Sequence, residues 1–364
     1  MKHVRVLVVD DSATSRLLLV EILRADEEIE VVGQAADGVE ALAMVKRLSP
    51  DIVTMDVHMP GLDGFAATKR IMVEAPTPIL IITSVDARTL SISLEAVRAG
   101  ALAVHAKPAD PSAPGFDEEA RELVRHVKAM SEVKVVRHHD HGVPARTPPI
   151  SSPAGGAESV TPRSSALLQD VPAAVVAIAA STGGPAALHR ILTPLPADFP
   201  LSILVVQHIS RGFGPGFADW LDKASPLRVK LAEEGETLRP ATVYVAREDR
   251  HLCVSESRRI HLSAAPVVGG FRPSATVLFE SVAAAFGRGA LAVILTGMGR
   301  DGVDGLRAIR RAGGRTIAES KATAVVYGMP GAAVEDGLAD LVLPLHEVCA
   351  AVAGLLVPSV AGKP

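Results

Sequence analysis

The sequence predicts an α/β protein of two consecutive domains, each a doubly wound, mainly parallel sheet with helices on both faces. Three observations predict it. Short runs of valine, isoleucine, leucine and alanine alternate with amphipathic stretches in both halves of the chain, the pattern of repeated strand–helix units. Many of these runs stop abruptly at Asp, Ser, His, Thr or Lys, as strands do where they deliver side chains to the carboxyl edge of a sheet. A Pro-, Ser- and Gly-rich stretch from about 137 to 170 divides the halves, and such a composition cannot bury enough apolar surface to offset its ordering entropy.

The bulk properties agree. The chain has 364 residues, 48% of them apolar and only 3% aromatic, enough for two or three domains with aliphatic cores. A formal charge of -4 gives no reason to expect nucleic acid or an anionic membrane as partner. Cys253 and Cys349 lie too far apart for metal-ligand spacing and read as idle thiols in a reducing compartment. The apolar run at the N-terminus is too short for a signal peptide. No segment approaches the ~18 apolar residues of a membrane span, so a cytoplasmic protein without membrane insertion is expected.

In the first half, strands are expected at Val4–Val9, Val31–Val32, Ile52–Met55, Ile79–Ile82 and Val104–Ala106. Helices are expected at roughly Ser15–Arg24, Gly38–Leu48, Gly64–Glu74 and Leu90–Ala99. Winding these into one sheet gathers Asp10, Asp11, Asp56, Thr83 and Lys107 at one rim. Three crowded carboxylates repel unless a hard cation offsets them, and Mg²⁺ takes oxygen ligands. With Asp56 as nucleophile, such an ion, Lys107 and the Thr83 hydroxyl neutralise an arriving phosphoryl group. One acid at a strand end is usually a helix cap; five matching strand ends are not.

The segments VDDS, MDVHMPGLDG, TS and KP, in that order, resemble the receiver domain of two-component response regulators. The resemblance implies a (βα)5 flavodoxin-like fold over residues 1–125. It implies Asp56 as phosphoacceptor, Asp10, Asp11 and Asp56 around Mg²⁺, Thr83 and Lys107 as switch residues, and a cis peptide before Pro108. A histidine kinase is the implied phosphodonor. His105 departs from the pattern, since receivers usually carry Tyr or Phe there. Residues 126–170 are read as a helix end and linker; His138, His139, Asp140 and His141 within it read as solvated, because a tether offers no preformed cage.

The second domain is expected over residues 171–358. Its first strand, Val175–Ala180, runs into Ser181-Thr182-Gly183-Gly184-Pro185. Two glycines permit a tight turn, and Pro185 suits the first turn of a helix. Ser181 is therefore set beside free backbone N–H groups that favour negative charge, a place for a nucleophile and its oxyanion hole. On this stretch alone an N-cap serine is the plainer reading. Further strands are expected at Ser202–Val206, Ala290–Leu295, Arg315–Ala318 and Leu341–Leu343, with a short-stranded insertion from about 229 to 262. Helices are expected at about Ala186–Leu192, Gly214–Ala224, Ala275–Phe286, Val303–Ala312 and Ala322–Glu335.

Ser181, His208 and Asp301 each follow such a strand, so one crevice can hold all three. A serine hydroxyl needs a base to take its proton. Histidine has the suitable pKa, and an acid on its other ring nitrogen fixes the tautomer. A rival exists: Gly297-Met298-Gly299-Arg300-Asp301-Gly302 is a G-x-G-x-x-G, and Glu319 ends the next strand near the spacing of a ribose-binding acid. It leaves Ser181 and His208 unexplained.

The segments ASTGGP, QH, FRPSA, ILTGMGRDG and YGMP resemble the catalytic domain of the chemotaxis protein-glutamate methylesterases, a family that joins a receiver to this domain through a linker. The resemblance implies a Rossmann-like domain with Ser181 as nucleophile, His208 as base, Asp301 as orienting acid, and Thr182 and Met298 lining the oxyanion and substrate site. It implies glutamate γ-methyl esters on methyl-accepting chemoreceptors as substrate, deamidation of receptor glutamines, and no cofactor for ester hydrolysis. Phosphorylation of Asp56 then relieves steric blocking by the receiver. A non-catalytic docking module, and the same chemistry in a pathway other than motility, remain open at this point.

Overall fold

The computed structural model describes residues 3–84, 103–108, 111–113, 115–133, 173–209 and 212–354. The expected helix at Leu90–Ala99 and the His138–His141 cluster lie outside these residues.

The first sheet contains β1 (Val4–Val9), β2 (Ile29–Ala35), β3 (Ile52–Met55), β4 (Ile79–Thr83) and β5 (Ala103–Ala106). Their order is β2-β1-β3-β4-β5, every pair parallel, which is the flavodoxin-like arrangement. The reversal of strand order at β1 and β3 opens a crevice at their carboxyl ends. Helices α1 (Ala13–Arg24), α2 (Gly38–Leu48) and α3 (Gly64–Glu74) are capped by Ser12, Asp37 and Asp63, whose side chains accept from first-turn N–H groups. Helix α4 (Phe116–Ser131) buries Leu123, Val127 and Met130 against the sheet. Asp117, Glu118 and Glu119 in its first turn match the positive end of the helix dipole.

The second sheet has seven strands: β6 (Val175–Ala180), β7 (Ser202–Gln207), β8 (Arg228–Leu231), β9 (Thr242–Val245), β12 (Ala290–Ile294), β13 (Arg315–Glu319) and β14 (Leu341–Leu343). Their order is β14-β13-β12-β6-β7-β9-β8, again parallel throughout. Strands β10 (His251–Val254) and β11 (Ile260–Ser263) form a separate antiparallel hairpin. The expected insertion is therefore smaller: β8 and β9 extend the main sheet, because Val229, Val243 and Val245 bury against its core. The helices are α5 (Gly184–Leu192), α6 (Gly214–Ala224), α7 (Ala275–Phe286), α8 (Val303–Arg311), α9 (Met329–Glu335) and α10 (Leu345–Gly354). Helix α9 starts seven residues later than expected, after Gly328 and with Pro330 in its first turn, where a missing N–H costs nothing.

Strand β6 sits near the middle and is buried on both faces, all six residues at 0% exposure. Val176, Ile178 and Ala180 pack on one layer with Leu188 and Ile191; Val175, Ala177 and Ala179 pack on the other with Leu278 and Phe279. This two-sided burial is why the strand reads as an unbroken apolar run. No helix among the described residues is long and apolar enough to cross a membrane.

Candidate active site

Three strand ends of the second sheet converge. Ser181 follows β6 and is 6% exposed. Its N–H donates to the Thr296 carbonyl at 3.0 Å, which ties it to the end of β12. Its carbonyl accepts from Gly184 N–H at 2.8 Å and from Gln207 Nε2 at 2.7 Å. Gly183 turns the chain at φ +77°, a conformation that favours glycine. Gln207 Nε2 also donates to the His208 carbonyl at 2.7 Å, so one buried amide couples the residues at the two strand ends.

Asp301 is held at the N-terminus of α7. Its Oδ1 accepts from the Ser274 hydroxyl at 2.7 Å and Thr276 N–H at 3.1 Å; its Oδ2 accepts from Ala275 N–H at 2.7 Å. His208 Nε2 lies 2.9 Å from the same Oδ2. Burial alone raises a carboxyl pKa, but His208, Ser274 and the Ala275 N–H outweigh it, and Asp301 falls to about 2. An ionised carboxylate only accepts, so Nε2 carries the ring proton and Nδ1 keeps the lone pair. That Nδ1 is buried with no hydrogen-bond partner. The Asp301–His208 bond is thus made, whereas a Ser181–His208 bond is absent from this state; such bonds often tighten only with substrate bound.

Ser181, Thr182, His208 and Met298 line one cleft. Phe271 lies flat on the His208 ring, with centroids 3.9 Å apart and planes 4° apart. Gly297 lies against the serine: a Cβ there would strike Met329 Sδ and sit 2.7 Å from Ser181 Cβ. Gly297→Ala is therefore expected to lower kcat/KM by roughly 100-fold, the scale of an ångström-level misplacement, with initial ester-hydrolysis rates as the check. Glu319 is not at the cleft. It is fully buried, accepting from Thr296 N–H and the Thr323 hydroxyl, so it braces β12 against β13 and cannot reach a ribose.

The first sheet gathers its own rim. Ligand atoms of Asp10, Asp11 and Asp56 lie within 4.8 Å of one another. Lys107 Nζ is 2.7 Å from Asp10 Oδ2 and 3.1 Å from Asp56 Oδ2. Burial pushes the Asp56 carboxyl up, against the pull of Lys107. The Thr83 hydroxyl is buried and unpartnered. An all-oxygen trio beside an unpartnered hydroxyl fits Mg²⁺ and a phosphoryl group. The bond before Pro108 is not cis; Arg272–Pro273 is the cis bond found among the described residues.

The two sites meet. Val104 on β5 and Glu122, Arg125 and His126 on α4 line the same cleft as Ser181 and His208. Gln207, Phe271 and Ser274 fall within the QH and FRPSA segments, but their contacts with Ser181, His208 and Asp301 are long-range and become visible only in the fold.

The residues match known proteins in the same two parts. Residues 176–352 match the CheB methylesterase family model, and residues 6–113 match the response regulator receiver domain model. The chain is 54% identical over 342 residues to protein-glutamate methylesterase/protein-glutamine glutaminase 3 of Anaeromyxobacter dehalogenans, covering 93% of this chain and 95% of that protein. It is 52% identical over 345 residues to protein-glutamate methylesterase/protein-glutamine glutaminase 4 of Myxococcus xanthus, covering 94% of each. The crystal structure of the Thermotoga maritima CheB methylesterase catalytic domain is 39% identical and covers 51% of this chain and 100% of that one, with a TM-score of 0.49. On identity and coverage the chain belongs to the family of receiver-linked protein-glutamate methylesterases/protein-glutamine glutaminases.

Proposed function

We propose that this chain is a phosphorylation-controlled serine hydrolase that cleaves glutamate γ-methyl esters, and deamidates glutamines, on cytoplasmic helices of chemoreceptors. The observation that carries the reading is the Asp301–His208 pair, whose imidazole has an unpartnered Nδ1 and lines the same cleft as Ser181. Ser181 Oγ attacks the ester carbonyl carbon and His208 Nδ1 takes its proton. Asp301 stabilises the imidazolium. Backbone N–H groups at Thr182 and Met298 hold the oxyanion. The C–O bond to the methoxy group breaks, Nδ1 returns the proton, and methanol leaves. Water then attacks the acyl-enzyme by the same relay, regenerating Ser181 and releasing glutamate. With glutamine, ammonia leaves in place of methanol.

Asp56 accepts the phosphoryl group from a histidine kinase. Asp10, Asp11 and Asp56 would hold Mg²⁺, which would offset the negative charge gathered there, and Thr83 and Lys107 respond to the new phosphate. Because β5 and α4 line the cleft, a helical substrate enters only when they move. The reading places the protein in the cytoplasm, where its kinase and receptor tails are. The test is methanol release from a methylated receptor fragment, with and without acetyl phosphate and Mg²⁺. A rise of roughly 5- to 150-fold, the span of a typical coupling free energy, is expected, and Asp56→Asn removes it. An unresponsive wild-type enzyme contradicts the reading.

A further inference from the structure

His105 is 3% exposed, yet it is polar where an aromatic ring would satisfy burial. Its Nδ1 lies 2.7 Å from the Ala106 carbonyl. A carbonyl only accepts, so Nδ1 carries the proton and Nε2 presents a lone pair. That Nε2 is buried and unpartnered. His126, on α4, packs edge-on against it, with centroids 5.1 Å apart and planes at 77°. Its Nδ1 is also buried and unpartnered. Two adjacent orphaned nitrogens are costly in a protein interior, and neither the esterase relay nor the phosphorylation rim uses them. Glu122 stands one turn before His126 on the same face of α4. One ligand atom from each of His105, Glu122 and His126 lies within 4.8 Å of the others.

We propose that His105, Glu122 and His126 form a binding site for a borderline divalent transition ion of the Zn²⁺ class. Two imidazoles and one carboxylate suit such an ion and not Mg²⁺, which takes oxygen ligands. The Ala106 carbonyl supplies the outer hydrogen bond that fixes the tautomer and orientation of a ligating histidine. Burial pushes the pKa of both rings down, His126 to about 3, so both are in the neutral form that metal binds. The three ligand atoms lie close enough to share one ion. Glu122 and His126 line the cleft, so the ion joins β5 to α4 beside it.

The test is calorimetric titration of Zn²⁺, with Co²⁺ absorption as a second readout. It uses the full chain carrying His138→Ala, His139→Ala and His141→Ala, in excess Mg²⁺, which removes the linker cluster and fills the acidic rim. The expected result is one ion per chain and a Co²⁺ spectrum of mixed nitrogen and oxygen ligation. His105→Phe and Glu122→Gln should each weaken binding by about tenfold or more. Glu122→Gln keeps the side-chain shape and serves if His105→Phe does not fold. No stoichiometric binding, or binding unchanged by either folded variant, overturns the site.

Discussion

Ser181→Ala is expected to abolish ester hydrolysis and leave the fold intact. The relay acts as a unit, so removing the nucleophile alone forfeits nearly all of it, roughly 10⁴- to 10⁶-fold in kcat. The bonds that position residue 181 are made by its main chain: N–H to Thr296, carbonyl from Gly184 and Gln207. Alanine keeps all three, so the melting temperature should stay within a few degrees, as for a change of about 1 kcal/mol or less. Methanol release and a thermal melt on the same preparation check both halves. Substantial activity in a folded Ser181→Ala variant removes the assignment of the nucleophile.

Asp301→Asn is expected to lower kcat by about 10⁴-fold and to change the acid limb of stability. The amide cannot hold a charge opposite the imidazolium, and its NH2 can face Nε2, moving the ring proton to Nδ1 and removing the base. Asp301 has a folded pKa of about 2 against an ordinary 3.8. A depressed carboxyl contributes stability above its unfolded pKa and loses it as pH falls through the folded value. The contribution is about 2 kcal/mol, present above about pH 4 and gone near pH 2. The wild-type advantage over Asp301→Asn in denaturant unfolding should therefore shrink across that window. A constant difference contradicts the claim that the ionised carboxylate is stabilised by His208, Ser274 and the end of α7.

Much of the fold was legible because buried parallel strands announce themselves. The runs Val175–Ala180 and Ala290–Ile294 are apolar throughout because helices cover both faces, and the residues after them fall at the carboxyl edge by topology alone. Periodicity could not say which sheet β8 and β9 join, since pairing is a long-range choice. Nor did it stop the helix pattern at 322–328, where Thr296 reaches over to bond Val326 and Gly297 bridges Tyr327. The strand-end serine, histidine and aspartate were legible as chemistry. Their supports were not. Ser274 looks like a plain helix cap, yet its hydroxyl serves Asp301, and Asp301 in turn caps α7. Phe271 is an ordinary loop aromatic until it is found flat on His208.

The convergence of Ser181, His208 and Asp301 is tested most directly by mapping the adduct of a serine-directed fluorophosphonate by mass spectrometry, in wild type and in His208→Gln. The account predicts one phosphonyl group, on Ser181, formed rapidly in wild type and at least about 100-fold more slowly without the base. Labelling on another residue, or equal rates in the two proteins, would contradict it.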